Sequence, residues 1–491
     1  MGRRGGRGFG AARPRGRTDF PAADASLTPS SGVGTVKFRN LSRRRSMVGQ
    51  SEPDPVVAGD VWRRGDEGYE AARQAAVWHQ LKPNRYPDVI VRVKNEQDVV
   101  EAVRRARKEG LKVKARGGGH SMTASSVRDG LMIDFSEFCE YTIDPQARTA
   151  TVTPSVTGDD FGAAVREHGL FFPGGHCPGV GLGGFLLQGG FGWNGQAMGM
   201  ACSSVRAIDV VTADGELIHC DDTTNADYMW AARGSGSGFF GVVTRFYLDL
   251  HPLPASILSS LYAYPMDALD DVLPWFLETG PSLPRSVEPF LMCATPPGLD
   301  QRLLLVFAVS FTDTEQQGRD ALAPFETCPA IDRALEHRYA KPASFDELYA
   351  FMSAAAVPGR YCVDGMWTHE SPATLVPKFQ ELFDSFPNPK CHIGFYPWHD
   401  ADVPNGAFSL QAPLYISPVA VWDDEKDDAH CIEWATGHMR RLEPYSVGIM
   451  LADENLVNRP APFMAPQNLE RLEQLRAKYD PSGLFHSYLL S

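Results

Sequence analysis

Residues 113–121 read VKARGGGHS, and the pattern that leads into this stretch decides the fold. Upstream, Val89–Val93 is an apolar run typical of a buried strand. A helical pattern begins after Asn95, a good N-terminal cap, and stops at Gly110. A second strand then enters the glycines. We therefore predict a βαβ unit that delivers the chain directly into a glycine-rich loop.

This loop has the composition of an anion-binding loop. Gly117, Gly118 and Gly119 allow positive φ angles and close approach to a ligand, so several backbone N–H groups point at one place. Such an arrangement suits a pyrophosphate. The alternative is an ordinary strand-to-loop turn that carries a solvent-exposed His120, and these residues alone leave both interpretations open.

A second glycine-rich stretch follows at residues 172–193, where nine glycines occur in about twenty residues. Gly179, Gly181 and Gly184 match the GxGxxG spacing of dinucleotide-binding loops. However, no strand clearly leads into them and no amphipathic helix opens after them, so that motif lacks its structural context. We favour a backbone wall against a large planar cofactor, with the thiol of Cys177 placed in it. The alternative is a plain buried cysteine.

Composition and charge exclude several functional classes. The 491 residues include 47 Lys plus Arg and 60 Asp plus Glu, giving a formal net charge of -13. This acidic balance argues against nucleic acid as the main partner and indicates a small-molecule substrate. No apolar run is long enough to span a membrane, so we expect no membrane partner. The nine cysteines form no CxxC pair, which predicts no metal site and a reducing, cytoplasmic setting.

The fold class predicted is α+β, in two parts. We expect a disordered, arginine-rich tail at residues 1–60, a first domain at 61–252, a substrate domain with an antiparallel sheet at 253–445, and a segment at 446–491 that returns to the first domain. Within the last two segments the patterns predict the following elements: helices over 342–355, 373–384 and 466–479, and strands over 303–311 and 415–422.

The two glycine stretches carry a family resemblance. Together with WAARG at 230–234 and KYDP at 478–481, they resemble the berberine-bridge-enzyme-like branch of the vanillyl-alcohol-oxidase flavoproteins, the p-cresol methylhydroxylase (PCMH) type. The resemblance is strong over residues 80–250 and moderate over 466–488. It implies that residues 61–252 are a PCMH-type FAD-binding domain. It also implies that FAD is held by two covalent bonds, from His120 to the flavin 8α-methyl group and from Cys177 to flavin C6.

The resemblance further implies which residues contact the cofactor. Glycines and polar residues of the first loop should hold the pyrophosphate, glycines of the second should back the flavin, and Val242 should lie near the adenine. Tyr488 stands where the family has an amide-type residue. The full set of expected cofactor contacts is Arg116, Gly117, Gly118, Gly119, His120, Ser121, Cys177, Val180, Gly181, Gly184, Gly189, Gly190, Gly192, Val242 and Tyr488.

The resemblance also bears on the reaction. Three residues after the cysteine, the family carries Val in oxidases and Leu in dehydrogenases, so Val180 implies an oxygen gate and an oxidase. The family's Tyr-x-Asn-Tyr segment, which supplies or supports the catalytic base, is replaced by GIMLADE at 448–454. The base is therefore open; the residues considered are Glu454, Tyr396 and Tyr415, together with Asp453 and His399.

These observations predict an oxidase that passes hydride from an alcohol, sugar or amine to flavin and electrons on to O2, releasing H2O2. Aromatic residues of the second domain weakly favour a ring-bearing substrate. Two alternatives remain: a resistance protein that sequesters a redox-active natural product, favoured by the missing base motif, and a dehydrogenase with another electron acceptor.

Overall fold

The structure is a computed structural model that describes residues 57–354 and 356–490. The predicted basic tail, residues 1–60, lies outside the described residues except for its last positions, 57–60. Within the described ranges, every helix is too short or too polar to cross a membrane.

The first sheet contains the predicted βαβ unit. Its order is β1-β2-β4-β3, with β4 pairing in parallel to both β2 and β3, and β1 antiparallel at the edge. The βαβ unit starts with β2 and ends with β3, and β4, which follows both in sequence, lies between them in the sheet. The four strands are β1 (Val61–Arg63), β2 (Val89–Arg92), β3 (Val113–Arg116) and β4 (Leu131–Asp134).

The helix between β2 and β3 forms where its sequence signals predict it. The Asn95 side chain accepts a hydrogen bond from the Asp98 N–H at 3.0 Å, and Gly110 ends the helix in the left-handed region at φ 68°. Val99, Val103 and Ala106 are fully buried against the first sheet and its neighbours. Capping and apolar spacing thus agree, and this prediction is confirmed.

A second, antiparallel sheet completes the first half of the chain. Its order is β5-β6-β10-β8-β9, and a short pair formed by β7 and β11 lies beyond it. The strands are β5 (Tyr141–Asp144), β6 (Thr149–Val152), β7 (Leu170–Phe171), β8 (Val205–Val211), β9 (Leu217–Asp221), β10 (Val242–Asp249) and β11 (His251–Pro252).

An eight-stranded antiparallel sheet forms the second half. The order is β15-β12-β14-β13-β18-β19-β16, and β17 also pairs with β19. The strands are β12 (Ser256–Pro265), β13 (Val287–Ala294), β14 (Leu303–Thr312), β15 (Glu336–Pro342), β16 (Arg360–Val363), β17 (Met366–Thr368), β18 (His392–Pro397) and β19 (Leu414–Trp422). This confirms the predicted fold class, whereas the division at residue 252 stays a prediction.

Helices cover these sheets. They are α1 (Tyr69–Ala75), α2 (Glu96–Glu109), α3 (Gly158–Arg166), α4 (Leu182–Leu187), α5 (Gly195–Met198), α6 (Ala226–Ala232), α7 (Leu269–Thr279), α8 (Glu315–Leu322), α9 (Phe345–Ser353), α10 (Pro372–Leu375), α11 (Gln380–Asp384), α12 (Asp428–Leu442) and α13 (Pro466–Tyr479).

The second half differs from the sequence prediction in three places. The helix expected from residue 342 begins only at Phe345, because Ser344 caps it in a capping box with Glu347. The helix expected over 373–384 is broken into α10 and α11 around a turn that contains Pro377. Six strands were not predicted: β12, β13, β15, β16, β17 and β18.

One feature of the first half bears on the GxGxxG spacing. A short helix, α4, opens after Gly181, but it is not the amphipathic helix that the dinucleotide-binding motif requires. Its sequence LGGFLL has no polar face, so it carries no amphipathic signal.

The C-terminal segment returns to the first sheet, as predicted. The Val113 N–H donates to the Leu484 carbonyl at 2.7 Å, and the His486 N–H donates to the Val113 carbonyl at 3.0 Å. The Asp480 carboxylate accepts from the Leu484 and Phe485 N–H groups, at 2.7 and 2.9 Å, which holds the turn after α13. The tail is thereby hydrogen-bonded beside the strand that enters the first glycine loop.

Candidate active site

A cavity of about 350 Å³ lies where the two halves of the chain meet. Its walls come from the first glycine loop, the second glycine stretch, the turn at 236–243 and the C-terminal tail. The eight-stranded sheet closes one end with Phe290, Tyr396 and Tyr415, and the segment at 450–453 adds Asp453. Nearly every residue singled out in the first loop therefore faces the same space as Cys177.

The two glycine stretches touch each other, and this contact requires glycine. A Cβ built on Gly118 would lie 2.5 Å from the Gly181 backbone nitrogen, and a Cβ on Gly181 would lie 2.5 Å from the Gly118 nitrogen. Both partners are backbone, so neither can move aside as a side chain would. The close approach brings the loop that carries His120 next to the stretch that carries Cys177.

The second stretch divides into glycines that face the cavity and glycines that do not. A Cβ on Gly184 would meet no atom within 4 Å, since it points into the cavity. By contrast, a Cβ on Gly189 would meet the Phe408 ring at 2.9 Å, and one on Gly190 would meet Ala201 at 2.7 Å. Gly192 packs in the same way against the carbonyl of Gly174. The structure therefore does not bring Gly189, Gly190 and Gly192 to the cavity wall, contrary to expectation.

Arg116 and Ser121 brace the first loop. The Arg116 guanidinium lies 3.3 Å from the Asp134 carboxylate and donates to the Gly118 carbonyl at 3.1 Å. Burial lowers the Arg116 pKa, and Asp134 opposes that effect. The Ser121 hydroxyl accepts from the Ser125 N–H at 3.1 Å. Both residues line the cavity while their polar atoms hold the loop in shape.

His120 is held flat by an aromatic ring. Its imidazole stacks on Trp78, with ring centroids 4.5 Å apart and planes 8° apart. Burial lowers the His120 pKa to about 4, so the ring is neutral at neutral pH. Sequence reasoning did not single out Trp78, because its only signal is a tryptophan in the segment between α1 and β2.

Cys177 lines the same cavity. Burial, followed by the charge of Asp453, raises the pKa of its thiol to about 11. Val180 also lines the cavity, three residues further along the chain. The thiol is therefore protonated at neutral pH in this environment.

The acidic group on the cavity is Asp453, not Glu454. The Tyr415 hydroxyl donates to the Asp453 carboxylate at 3.0 Å, and burial raises the Asp453 pKa to about 6. Glu454 turns away from the cavity and accepts hydrogen bonds from the Thr123 hydroxyl and the Leu456 N–H. Burial raises the Glu454 pKa to about 7. Of the groups considered as the base, Asp453, Tyr415 and Tyr396 share the cavity.

Three other predicted residues have distinct places. Val242 lines the cavity beside Phe246, far along the chain from both glycine stretches. Tyr488 is buried in the core of the first half, where its hydroxyl donates to the Ser235 carbonyl at 2.7 Å. His399 is half-buried in the second half, where its Nε2 lies 3.3 Å from the Pro281 carbonyl oxygen. The structure does not bring Tyr488 or His399 to the cavity wall.

The cavity also contains a buried cation that the sequence did not reveal. The Lys114 ammonium donates to two backbone carbonyls, those of Ser237 at 2.9 Å and His486 at 3.2 Å. Burial, then the nearby charges of Arg128 and Arg476, lower the Lys114 pKa to about 7. A cation whose partners are carbonyl dipoles leaves this part of the cavity suited to an anionic group.

Comparison with known proteins identifies the family. Residues 87–221 match the family described as FAD binding domain. The FAD-linked oxidoreductase ptmO of Penicillium ochrochloron is 32% identical over 433 residues, which cover 87% of this chain and 95% of that protein. The chain belongs to the FAD-linked oxidoreductases.

Solved structures place this oxidoreductase in the berberine-bridge-enzyme-like, PCMH-type fold. The 6-hydroxy-D-nicotine oxidase of Arthrobacter nicotinovorans superposes with a TM-score of 0.77 at 20% identity, covering 89% of this chain and 98% of that one. BBE-like 1 of Physcomitrella patens gives 0.75 at 18% identity, covering 88% and 96%. The same fold includes the grass pollen allergen Phl p 4, with glucose dehydrogenase activity, and its isoleucine-to-valine variant, a glucose oxidase. The predicted family and fold are confirmed.

The residues present fit FAD. His120, Cys177 and Val242 line one cavity of about 350 Å³, together with both glycine stretches. Gly184 leaves room on the wall that a side chain would fill. Lys114 offers a positive charge to a diphosphate, and the first loop offers its backbone N–H groups.

Proposed function

We propose that this FAD-linked oxidoreductase is an oxidase that converts a small alcohol, sugar or amine to its carbonyl or imine product and reduces O2 to H2O2. The observation that carries the proposal is that His120, Cys177 and the Tyr415–Asp453 pair line one cavity. When bound, the flavin supplies the hydride acceptor and the route for electrons to O2.

We propose that His120 and Cys177 hold FAD covalently. In support, His120 is neutral at neutral pH, so a ring lone pair is available for bond formation, and Trp78 limits the rotation of the ring. Cys177 lines the same cavity. Attachment through two residues would hold the cofactor while leaving the substrate end of the cavity open.

The remaining contacts follow from the same cavity. The N–H groups of Gly117, Gly118 and Gly119 and the Lys114 ammonium would hold the diphosphate, since these are the donors facing that region. Gly181 and Gly184 would lie against the flavin, and Val242 against the adenine. These assignments narrow the expected contacts to the residues that face the cavity.

Asp453 is proposed as the proton acceptor. Its pKa of about 6 makes it ionised at neutral pH but still able to hold a proton, which suits a general base. Tyr415 donates to one carboxylate oxygen at 3.0 Å and so orients the group, while Tyr396 stands beside it on the wall. The base takes the proton of the substrate O–H or N–H as hydride leaves the adjacent carbon.

Val180 supports an oxidase over a dehydrogenase. It lines the cavity close in sequence to Cys177, and its side chain is smaller by one methylene than leucine. In the Phl p 4 pair, the glucose oxidase is the variant that carries valine in place of isoleucine. A small side chain on the wall would leave room for O2.

The sequestration alternative loses its main support, because the structure offers an acid–tyrosine pair where the family motif is missing from the sequence. All nine cysteines are free thiols, which supports the proposed reducing, cytoplasmic setting.

The central experiment measures covalent flavin. After acid precipitation, the flavin absorbance should stay with the polypeptide in the unmodified protein, in His120→Ala and in Cys177→Ala, and only the double variant should release FAD. Cys202→Ala, which removes a buried thiol outside the cavity, is the matched control and should change nothing. Complete release of FAD from the unmodified protein would refute covalent attachment, and H2O2 release across sugars, alcohols and amines would identify the substrate class.

A further inference from the structure

A second hydrogen-bonded acid–base pair reaches the cavity through His176. His176, the residue before Cys177, hydrogen-bonds through Nε2 to the Glu288 carboxylate. Glu288 lies in β13, a strand in which every residue is buried, and only 3% of its surface is exposed. Its second carboxylate oxygen accepts from the Asn194 N–H at 2.7 Å. A buried carboxylate in an apolar strand is costly unless it is fully hydrogen-bonded, and here both oxygens are used.

The carboxylate determines the chemistry of the other imidazole nitrogen. An ionised carboxylate only accepts hydrogen bonds, so His176 Nε2 carries the proton and donates it to Glu288. In a ring that carries only this proton, Nδ1 is an acceptor. No described residue forms a hydrogen bond with Nδ1. The atom is not completely buried, so it stays accessible from the cavity that His176 lines.

The surroundings of His176 are aromatic. Its ring contacts Trp193 edge-on at 4.6 Å between centroids, Phe290 edge-on at 5.2 Å and Phe191 at 5.5 Å. Phe290 in turn contacts Tyr396 edge-on at 5.5 Å, which continues the aromatic wall toward the Tyr415–Asp453 pair. A chain of ring contacts through Phe290 and Tyr396 thus connects His176 with the Tyr415–Asp453 pair.

We propose that His176, oriented by Glu288, is a specificity-determining residue that accepts a hydrogen bond from a hydroxyl or N–H group carried by a ring-bearing substrate. This inference rests on the proposed use of the cavity as the substrate chamber and goes beyond it by naming the substrate class. The substrate has two polar groups: one at Asp453, where it is oxidised, and one donor at His176. Apolar or aromatic surface separates them.

The test uses two probes that differ in one donor. 4-tert-Butylphenol offers a hydroxyl, 4-tert-butylanisole does not, and neither carries a hydrogen on the carbon attached to the ring, so neither is a ready hydride donor. Their dissociation constants are measured on the flavin-loaded protein by calorimetry and by perturbation of the flavin absorbance. We expect the phenol to bind about tenfold more tightly, the size of one hydrogen bond to a well-oriented acceptor.

The preference should fall to near equality in His176→Phe, which keeps an aromatic ring but removes the acceptor. It should also fall in Glu288→Gln, which keeps the Asn194 contact but no longer fixes the imidazole tautomer. The second variant keeps the test valid if the first fails to fold. His337→Phe, which changes a histidine paired with Glu326 at 3.0 Å and 43% exposed on β15, is the matched control and should keep the preference.

An unchanged preference in both variants would overturn the inference, because a purely steric preference would survive the loss of the acceptor. Absence of any preference in the unmodified protein would overturn it as well. Failure of the proposed function would be seen differently, as FAD released on denaturation or as no H2O2 from any substrate. The probe preference is measured without turnover, so the two failures can be distinguished.

Discussion

The assignment of Asp453 as the proton acceptor predicts a variant that is more stable but less active. A carboxyl whose pKa rises from 3.8 to about 6 on folding binds its proton more tightly in the folded state, by about 3 kcal/mol. Stability therefore falls as the pH rises from about 4 to about 6, and the whole cost is present above that range. Asp453→Asn removes this cost and can still accept the hydrogen bond from Tyr415.

We expect Asp453→Asn to gain stability relative to the unmodified protein at pH 8, and little at pH 4. The gain is at most about 3 kcal/mol, because the carboxyl keeps some contact with the cavity and is not wholly desolvated. Removing a general base should lower kcat/KM by about 10² to 10⁴, and the fall of activity below pH 6 should disappear from what remains.

The assays are denaturant unfolding at the two pH values and a pH profile of kcat/KM. Glu454→Gln is the matched control, since it changes the adjacent carboxyl, which contacts Thr123 rather than the cavity. It should keep the fall in activity below pH 6. Full activity in Asp453→Asn, or loss of that pH dependence in Glu454→Gln instead, would refute the assignment.

Substitutions at four further residues test the cavity walls. Val180→Leu should slow flavin reoxidation by O2 far more than flavin reduction by substrate in stopped-flow measurements, and equal slowing would indicate packing alone. Gly118→Ala places a Cβ 2.5 Å from the Gly181 nitrogen and should cost about 1–3 kcal/mol of stability, seen as a lower Tm. Gly184→Ala, whose Cβ meets open space, should leave the Tm of the flavin-free protein unchanged but reduce the flavin bound per polypeptide. Equal effects of Gly118→Ala and Gly184→Ala would contradict the position of Gly184 on the cavity wall. Because the Lys114 pKa falls from 10.5 to about 7 on burial, its stability cost is fully present below pH 7. Lys114→Met should therefore raise the free energy of unfolding at pH 6 and lower the flavin content. Lys114→Arg should restore the flavin content. Unchanged flavin content in Lys114→Met would refute the proposed diphosphate contact.

Local signals in the sequence were sufficient for the parts of the fold that local physics controls. Asn95 and Gly110 mark the ends of α2 because capping groups act within one turn of the helix. The helix α13, Pro466–Tyr479, was predicted with its observed bounds. The density of glycines indicated a wall with close backbone approach, although packing against the protein, not the cavity, accounts for Gly189, Gly190 and Gly192.

The second half was harder to predict, for a physical reason. Strands such as β13 are buried along their whole length, so they lack the alternation of polar and apolar residues that marks a half-exposed strand. A fully apolar run is equally compatible with a buried helix. Only the pairing of β13 with β14 and β18 decides the question.

Which residues face the cavity was decided by tertiary structure alone. Asp453 and Glu454 are adjacent carboxylates, and either could serve as a base on chemical grounds. The single turn at Leu451–Asp453 directs Asp453 into the cavity and Glu454 toward Thr123. Glu288 and His176 lie 112 residues apart in sequence and meet only because the eight-stranded sheet packs against the glycine wall. The sequence by itself determined the family, the cofactor and the residues proposed to hold it, since these depend on short motifs. The direction of each acid and the pairing of distant groups depend on how the two halves pack, which no local pattern encodes.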